Sequence, residues 1–195
     1  MQRRNFMLSA AAALASSGLA LAGCTTTPGN SSNAATDMSK RRSIDASVDS
    51  SLAKLYSTVQ GSRELVAKSR GVLVFPSVLQ AGFIVGAQYG EGALRVGGAT
   101  TGYYSTVSGS FGLQAGAQSK AIIFCFMTED ALNKFRSTDG WAAGADASVA
   151  LVTVGANGAV DTNTATHPVE VFVMTNAGLM ADVSLAGTKV TRLNI

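Results

Sequence analysis

The residues able to do chemistry in this chain are few. The only histidine, His167, stands directly before Pro168 in a polar stretch. The two cysteines are Cys24 and Cys125, and two carboxylates have a suggestive setting: Asp146 in Gly-Ala-Asp-Ala-Ser and Glu91 between Gly90 and Gly92. A Ser-His-Asp relay needs a histidine held between two partners. A histidine beside a turn proline reads instead as a surface residue. One histidine and one unmodified cysteine do not make a usual structural zinc site. No nucleophile elbow, P-loop or dinucleotide fingerprint is present, so the 21 glycines form no nucleotide cradle. Paired carboxylates do acid–base work only where they converge. Asp146 and Glu91 read first as turn or capping residues; a hydrolase with a cryptic carboxylate site is the remaining enzymatic alternative. The expectation is a non-catalytic protein with no cofactor and no metal.

Cys24 has a different chemistry. Arg3 and Arg4 precede an uncharged, alanine-rich apolar run from Phe6 to Ala22. That layout is a signal peptide, slightly short for a membrane span. The arginine pair also fits a twin-arginine signal, but the general secretory route is the first expectation. The run ends Leu21-Ala22-Gly23-Cys24, which resembles the bacterial lipobox, where cleavage before the cysteine leaves a diacylglyceryl group on its sulfur. Two acyl chains, at about 0.8 kcal/mol per buried CH₂, give stable anchoring. Thr25 follows where Asp commonly retains such proteins at an inner membrane, so an outer-membrane anchor is expected. Residues 1–23 are thus read as signal peptide and 24–39 as a lipidated flexible tether. A flexible chain of ~15 residues spans about 20–25 Å, which keeps the body near its membrane.

Processing alters the charge. The full chain has 15 Lys+Arg against 12 Asp+Glu, and loss of Arg3 and Arg4 leaves 13 against 12, or +1. The balance excludes a strongly basic nucleic-acid-binding body. With Cys24 acylated, only Cys125 remains, so no internal disulfide forms. Cys125 lies in the apolar run Ile122–Met127 and reads as a buried small hydrophobe.

The elements that must position these residues follow two periodicities. Ile44, Val48, Leu52, Leu55 and Val59 mark one stripe of an amphipathic helix, and Gly61 interrupts it. Ser62 is expected to cap a short second helix with Leu65 and Val66. Lys40, Arg41, Arg42, Lys54, Arg63, Lys68 and Arg70 make residues 40–70 the most basic stretch. They form either a solvated helix face or a surface for anionic head groups, at about 1 kcal/mol per basic residue. From residue 71 the period becomes two. Strands are expected at 71–75, stopped by Pro76, then at 81–89 and 93–96 around a Gly90-Glu91-Gly92 turn. A strand over 109–119 follows, and then 121–127, buried on both faces. Thr128 is expected to cap a helix near 129–137. Further strands are expected at 148–154, 169–174, 179–185 and 189–193, with a hairpin at Asn157-Gly158. In the 109–119 strand, Gly112, Gln114 and Gly116 share a face almost without side chains. Something packs closely there, a helix or an acyl chain. Tyr89, Tyr103, Tyr104 and Trp141 serve an interfacial rim or the core equally well. The fold class is α+β: a curved, mainly antiparallel, barrel-like sheet with N-terminal amphipathic helices.

Gly71-Val-Leu-Val-Phe-Pro76, Ala81-Gly-Phe-x-Val-Gly86, Gly90-Glu-Gly92, the run Gly109–Ser119, Gly144–Val149 and Gly178-Leu179 with Val183–Leu185 resemble, in that order, the SYLF domain. The resemblance covers most of residues 50–190 and implies a lipid-binding module over 40–195. In a periplasm-facing domain the implied partners are ordinary anionic phospholipids rather than phosphoinositides or actin. The lipid-contacting set is then the seven basic residues above with Gly112, Gln114 and Gly116. A structural envelope protein, with its lipid only an anchor, is the alternative.

Overall fold

A computed structural model describes residues 30–195, apart from 83–84, 112–117, 155–158, 161–166 and 181–183. Cys24, Gly112, Gln114, Gly116 and the Asn157-Gly158 hairpin therefore lie outside the described residues. The order of elements is α1 (Asn30–Thr58), α2 (Ser62–Lys68), β1 (Gly71–Gly82), β2 (Val85–Val96), β3 (Ala99–Phe111), β4 (Gln118–Phe126), α3 (Glu129–Ser137), β5 (Trp141–Ala142), β6 (Val149–Leu151), β7 (Val169–Thr175), β8 (Gly178–Leu179) and β9 (Lys189–Arg192). Among the described residues one sheet holds every strand, in the order β5-β9-β3-β2-β1-β4-β7-β6, with β8 beside β7. All pairs are antiparallel except β6 with β7. The α+β class and the curled, half-barrel sheet agree with the periodicities.

Alternation along β4 shows why both faces are buried. Ile122, Phe124 and Phe126 join Leu73, Phe75, Leu94, Val171 and Trp141 in one core, closed by Leu132 and Phe135 of α3. Ile123 and Cys125 point the other way, into a second core with Val72, Val74, Phe172 and the helix residues Ile44, Val48, Leu55, Val59 and Leu65. The predicted helical stripe is thus the docking face of α1. Val48 and Leu55 are wholly buried, a gain of about 1.5–3 kcal/mol for each such side chain. Trp141 and Tyr104 belong to the first core. The Trp141 ring stands edge-on to Phe124 at 5.8 Å and to Phe135 at 5.4 Å. Thr128 caps α3 as expected, its side chain accepting from the Ala131 N–H at 3.2 Å.

The structure corrects several local expectations. Pro76 does not end β1. The register slips by one residue against both neighbours, between Val74 and Ser77 on one side and between Phe75 and Val78 on the other. Proline, lacking an N–H, sits in this bulge and the strand resumes. Nor is Gly90-Glu91-Gly92 a turn: β2 runs straight through it, and the chain reverses at Gly97 and Gly98, both with positive φ. The two ends of the 109–119 run belong to different strands, β3 and β4, which have β2 and β1 between them. Helix α1 begins at Asn30, so residues 30–39 are helical where composition alone reads as tether. Ser62 is no cap. It is buried, and its hydroxyl donates to the Val59 carbonyl at 2.6 Å, tying α2 to the end of α1.

Candidate functional site

Helix α1 packs over β1 and β2 and is tied to β2 and β3 by two polar clusters. In the first, Lys40 Nζ and the Tyr89 hydroxyl both donate to Glu91 Oε1, at 2.8 and 2.7 Å. Burial would raise the Glu91 carboxyl, but the hydrogen bonds from Lys40 and Tyr89 outweigh it and hold the carboxyl below its ordinary value. The same bond to Glu91 pushes the Tyr89 phenol up to about 12. In the second, one turn and more along the helix, Asp45 accepts from Thr100 at 2.7 Å and Tyr103 at 2.8 Å. Arg95 reaches Asp45 at 3.4 Å and Asp49 at 2.9 Å. Burial and the bond to Asp45 together raise the Tyr103 phenol.

Beside the first cluster a groove opens between α1 and the sheet. One part, of about 270 Å³, is lined by Ile44, Pro76, Leu79, Tyr89 and Glu91. It continues along α1 into a shallower space of about 560 Å³ past Thr36, Lys40 and Ser43. On its sheet side Leu79 pairs with Tyr89, and Tyr89 with Val107. Direct cross-strand partners share a face, about 4.5–5.5 Å apart at Cβ. The three form one apolar row across β1, β2 and β3, and they are 56%, 49% and 50% exposed. Their face is the one α1 covers further along, but here the helix leaves them open.

The structure scatters most of the predicted basic set and occupies it. Lys40 binds Glu91. Arg41 donates to the Ile195 carbonyl and lies 6.0 Å over the Tyr103 ring. Lys54 donates to the Thr175 carbonyl at 3.3 Å, and Arg63 lies 4.3 Å over the Tyr56 ring. Lys68 pairs with Glu64 at 2.9 Å and Arg70 with Glu129 at 3.8 Å. Arg42 is exposed and pairs with no other described residue. Of this set Lys40 alone lines the groove; Arg41 and Arg42 follow it in α1, just before the groove residues Ser43 and Ile44.

The candidate catalytic residues are not brought together. Asp146 closes a local turn, its Oδ2 accepting from the Ala142 N–H at 2.7 Å, while Glu91 is engaged by Lys40 and Tyr89. His167 is exposed, its backbone N–H donating to the buried Glu170 at 3.2 Å. Burial raises the Glu170 carboxyl despite the contacts with His167. Cys125 is wholly buried opposite Glu170, and burial pushes its thiol up to about 12. Among the described residues no group of three or more His, Cys, Asp or Glu is placed to hold a metal ion. Also among them, no helix is long and apolar enough to cross a membrane. Leu79 and Val107 were not marked by the sequence reading. The signal was present in the strand parity, but only the register reveals that three isolated residues make one row.

Residues 107–194 match the family model Ysc84, described as Las17-binding protein actin regulator. This stretch is a SYLF domain, as the ordered motifs indicated. No match was found among curated proteins. The matched stretch contains the end of β3 and all of β4 to β9, but β3 reaches β4 only through β2 and β1, so residues before 107 complete the same layer.

Proposed function

We propose that this SYLF-domain protein is an exported lipoprotein, anchored through Cys24 to the cell envelope at an outer membrane, and that it contacts phospholipid without catalysing a reaction. The observation that carries the reading is the Leu79–Tyr89–Val107 row, three large apolar side chains about half exposed on one face. Apolar groups left in contiguous contact with water mark an interaction surface. Tyr89 adds an aromatic ring with a polar tip, suited to the headgroup boundary. Lys40, Arg41 and Arg42 lie on the adjoining half of α1, where they favour an anionic surface. That half of the helix begins at Asn30, six residues after Cys24 in the sequence.

Vesicle co-sedimentation of the unlipidated Cys24→Ser chain tests this. Anionic vesicles should recruit it more strongly than neutral ones at low salt, and Tyr89→Asp should weaken recruitment by both. Equal recruitment of the Tyr89→Asp variant would refute the row as the contact. The family description names a protein-binding regulator. A protein partner on the same row is therefore the second reading, and it predicts no vesicle recruitment at all.

A further inference from the structure

The sheet face opposite α1 carries a second feature, independent of the apolar row. Past Val78 the first core gives way to polar residues. Strand pairing puts Lys120, Val78, Gly90 and Thr106 in one row, and Gln80, Gln88 and Ser108 in the next. Thr106 is 2% exposed and Gln88 9%. The Gln88 amide reaches Gln80 Oε1 only at 3.4 Å, a weak bond, and no other described residue takes up the remaining amide donors.

Lys120 is partly buried in this setting, and no described residue accepts a hydrogen bond from it or forms an ion pair with it. Burial pushes its ammonium below the ordinary lysine value. By alternation, the described residues of β1, β2, β3, β4 and β7 on this face include no carboxylate. Glu91 and Glu170 both project to the other side, toward the second core. A cation withdrawn from water without a counter-charge is unfavourable, and an incoming anion relieves that cost.

We propose that Lys120, with the side-chain amides of Gln80 and Gln88, forms a site for a phosphate oxyanion at the polar end of the first-core face. The ammonium supplies the charge. The amides supply directed N–H donors that a solvated surface lysine lacks. The phosphate can be free or carried by a lipid head group, and the chemistry recognised is the same.

Trace acetylation of the full chain, read at each lysine by peptide mass spectrometry, tests the proposal. The probes are inorganic phosphate and dihexanoyl phosphatidylglycerol, each against chloride at matched ionic strength. One probe should slow acetylation of Lys120 about fivefold or more at about 10 mM, as expected for a millimolar or tighter site, while Lys134 and Lys189 are unaffected. Protection by inorganic phosphate identifies a free-phosphate site, and protection by the lipid alone a head-group site. Gln88→Leu should raise the half-protecting concentration about tenfold, the loss of one hydrogen bond to a charged group. No protection by either probe, equal slowing of all lysines, or unchanged protection in Gln88→Leu would overturn it. Failure of the Tyr89→Asp vesicle test leaves this outcome untouched, because the two sites occupy opposite faces.

Discussion

A side chain on Gly92 would run into the carbonyl oxygen of Val74 and the ring of Phe75. Val74 stands just before the Pro76 bulge of β1, and Gly92 is the β2 residue next to its partner Ala93. The bulge and the glycine are two halves of one feature: the extra residue in β1 pushes a backbone carbonyl into the space where β2 would otherwise carry a Cβ. Gly92→Ala is expected to destabilise the fold by about 1–3 kcal/mol, the usual cost of overpacking. Near the midpoint that is a fall of roughly 2–12 °C for a chain of this size. Thermal unfolding by circular dichroism measures it, and a melting temperature equal to the parent's would show that the bulge adjusts freely.

The basic residues of α1 and α2 divide by their partners. Lys68 is already matched with Glu64, whereas Arg42 pairs with no described residue and stands beside the groove residues Ser43 and Ile44. An unpaired cation near an anionic bilayer contributes about 1 kcal/mol. Arg42→Gln should therefore weaken binding to anionic vesicles about fivefold at low salt, and Lys68→Gln clearly less. Equal losses would mean that net charge, not position, governs attraction.

The Lys40–Glu91 pair gives a pH dependence of definite sign. Glu91 titrates below its ordinary value in the folded chain, so its ionised form is favoured by folding. That contribution is complete above the ordinary value of 4.5 and disappears as the pH falls through the lower folded value. Both side chains remain partly exposed, at 36% and 26%, which limits the pair to about 1 kcal/mol or less. Glu91→Gln should lower the melting temperature slightly at pH 7, and parent and variant should converge on acidification below pH 4.5. A difference that persists at low pH would assign the loss to packing instead.

Much of the fold was legible because α1 and the central strands bury strictly periodic faces. The stripe from Ile44 to Val59 and the alternation from Ala121 to Met127 leave no other arrangement for so much apolar surface. Local punctuation was less reliable. Pro76 and Gly92 each read as a stop, yet together they form a bulge inside a continuous ladder, because each tolerates what the other imposes. The site was barely legible at all. Leu79, Tyr89 and Val107 are distant in sequence and unremarkable alone, and Lys120 and Gln88 lie in strands whose facing is fixed by register. Pairing, not composition, makes them neighbours.

Cys125 should be inert while the chain is folded. It is fully buried, and its thiol is pushed up to about 12 by burial and, less, by Glu170. Thiolate is the reacting form, so neutral-pH alkylation must wait for unfolding. With Cys24 changed to Ser, maleimide labelling should be undetectable in buffer and complete in denaturant. Rapid labelling of the native chain would place Cys125 at an accessible surface.

Glu170 provides the opposite case to Glu91. Its carboxyl is raised by burial, and the His167 contacts compensate only in part. A raised carboxyl means the folded chain holds that proton more tightly than the unfolded one. Stability is then greatest in acid and declines as pH rises from the ordinary value of 4.5 through the folded one. Glu170→Gln keeps an oxygen for the His167 N–H, which lies 3.2 Å away, and removes the charge. The variant should melt higher than the parent at neutral pH and lose that advantage below pH 4.5. If it melts lower at neutral pH, the ionised carboxylate makes stronger contacts with His167 than burial costs it, and the sign of the argument is reversed.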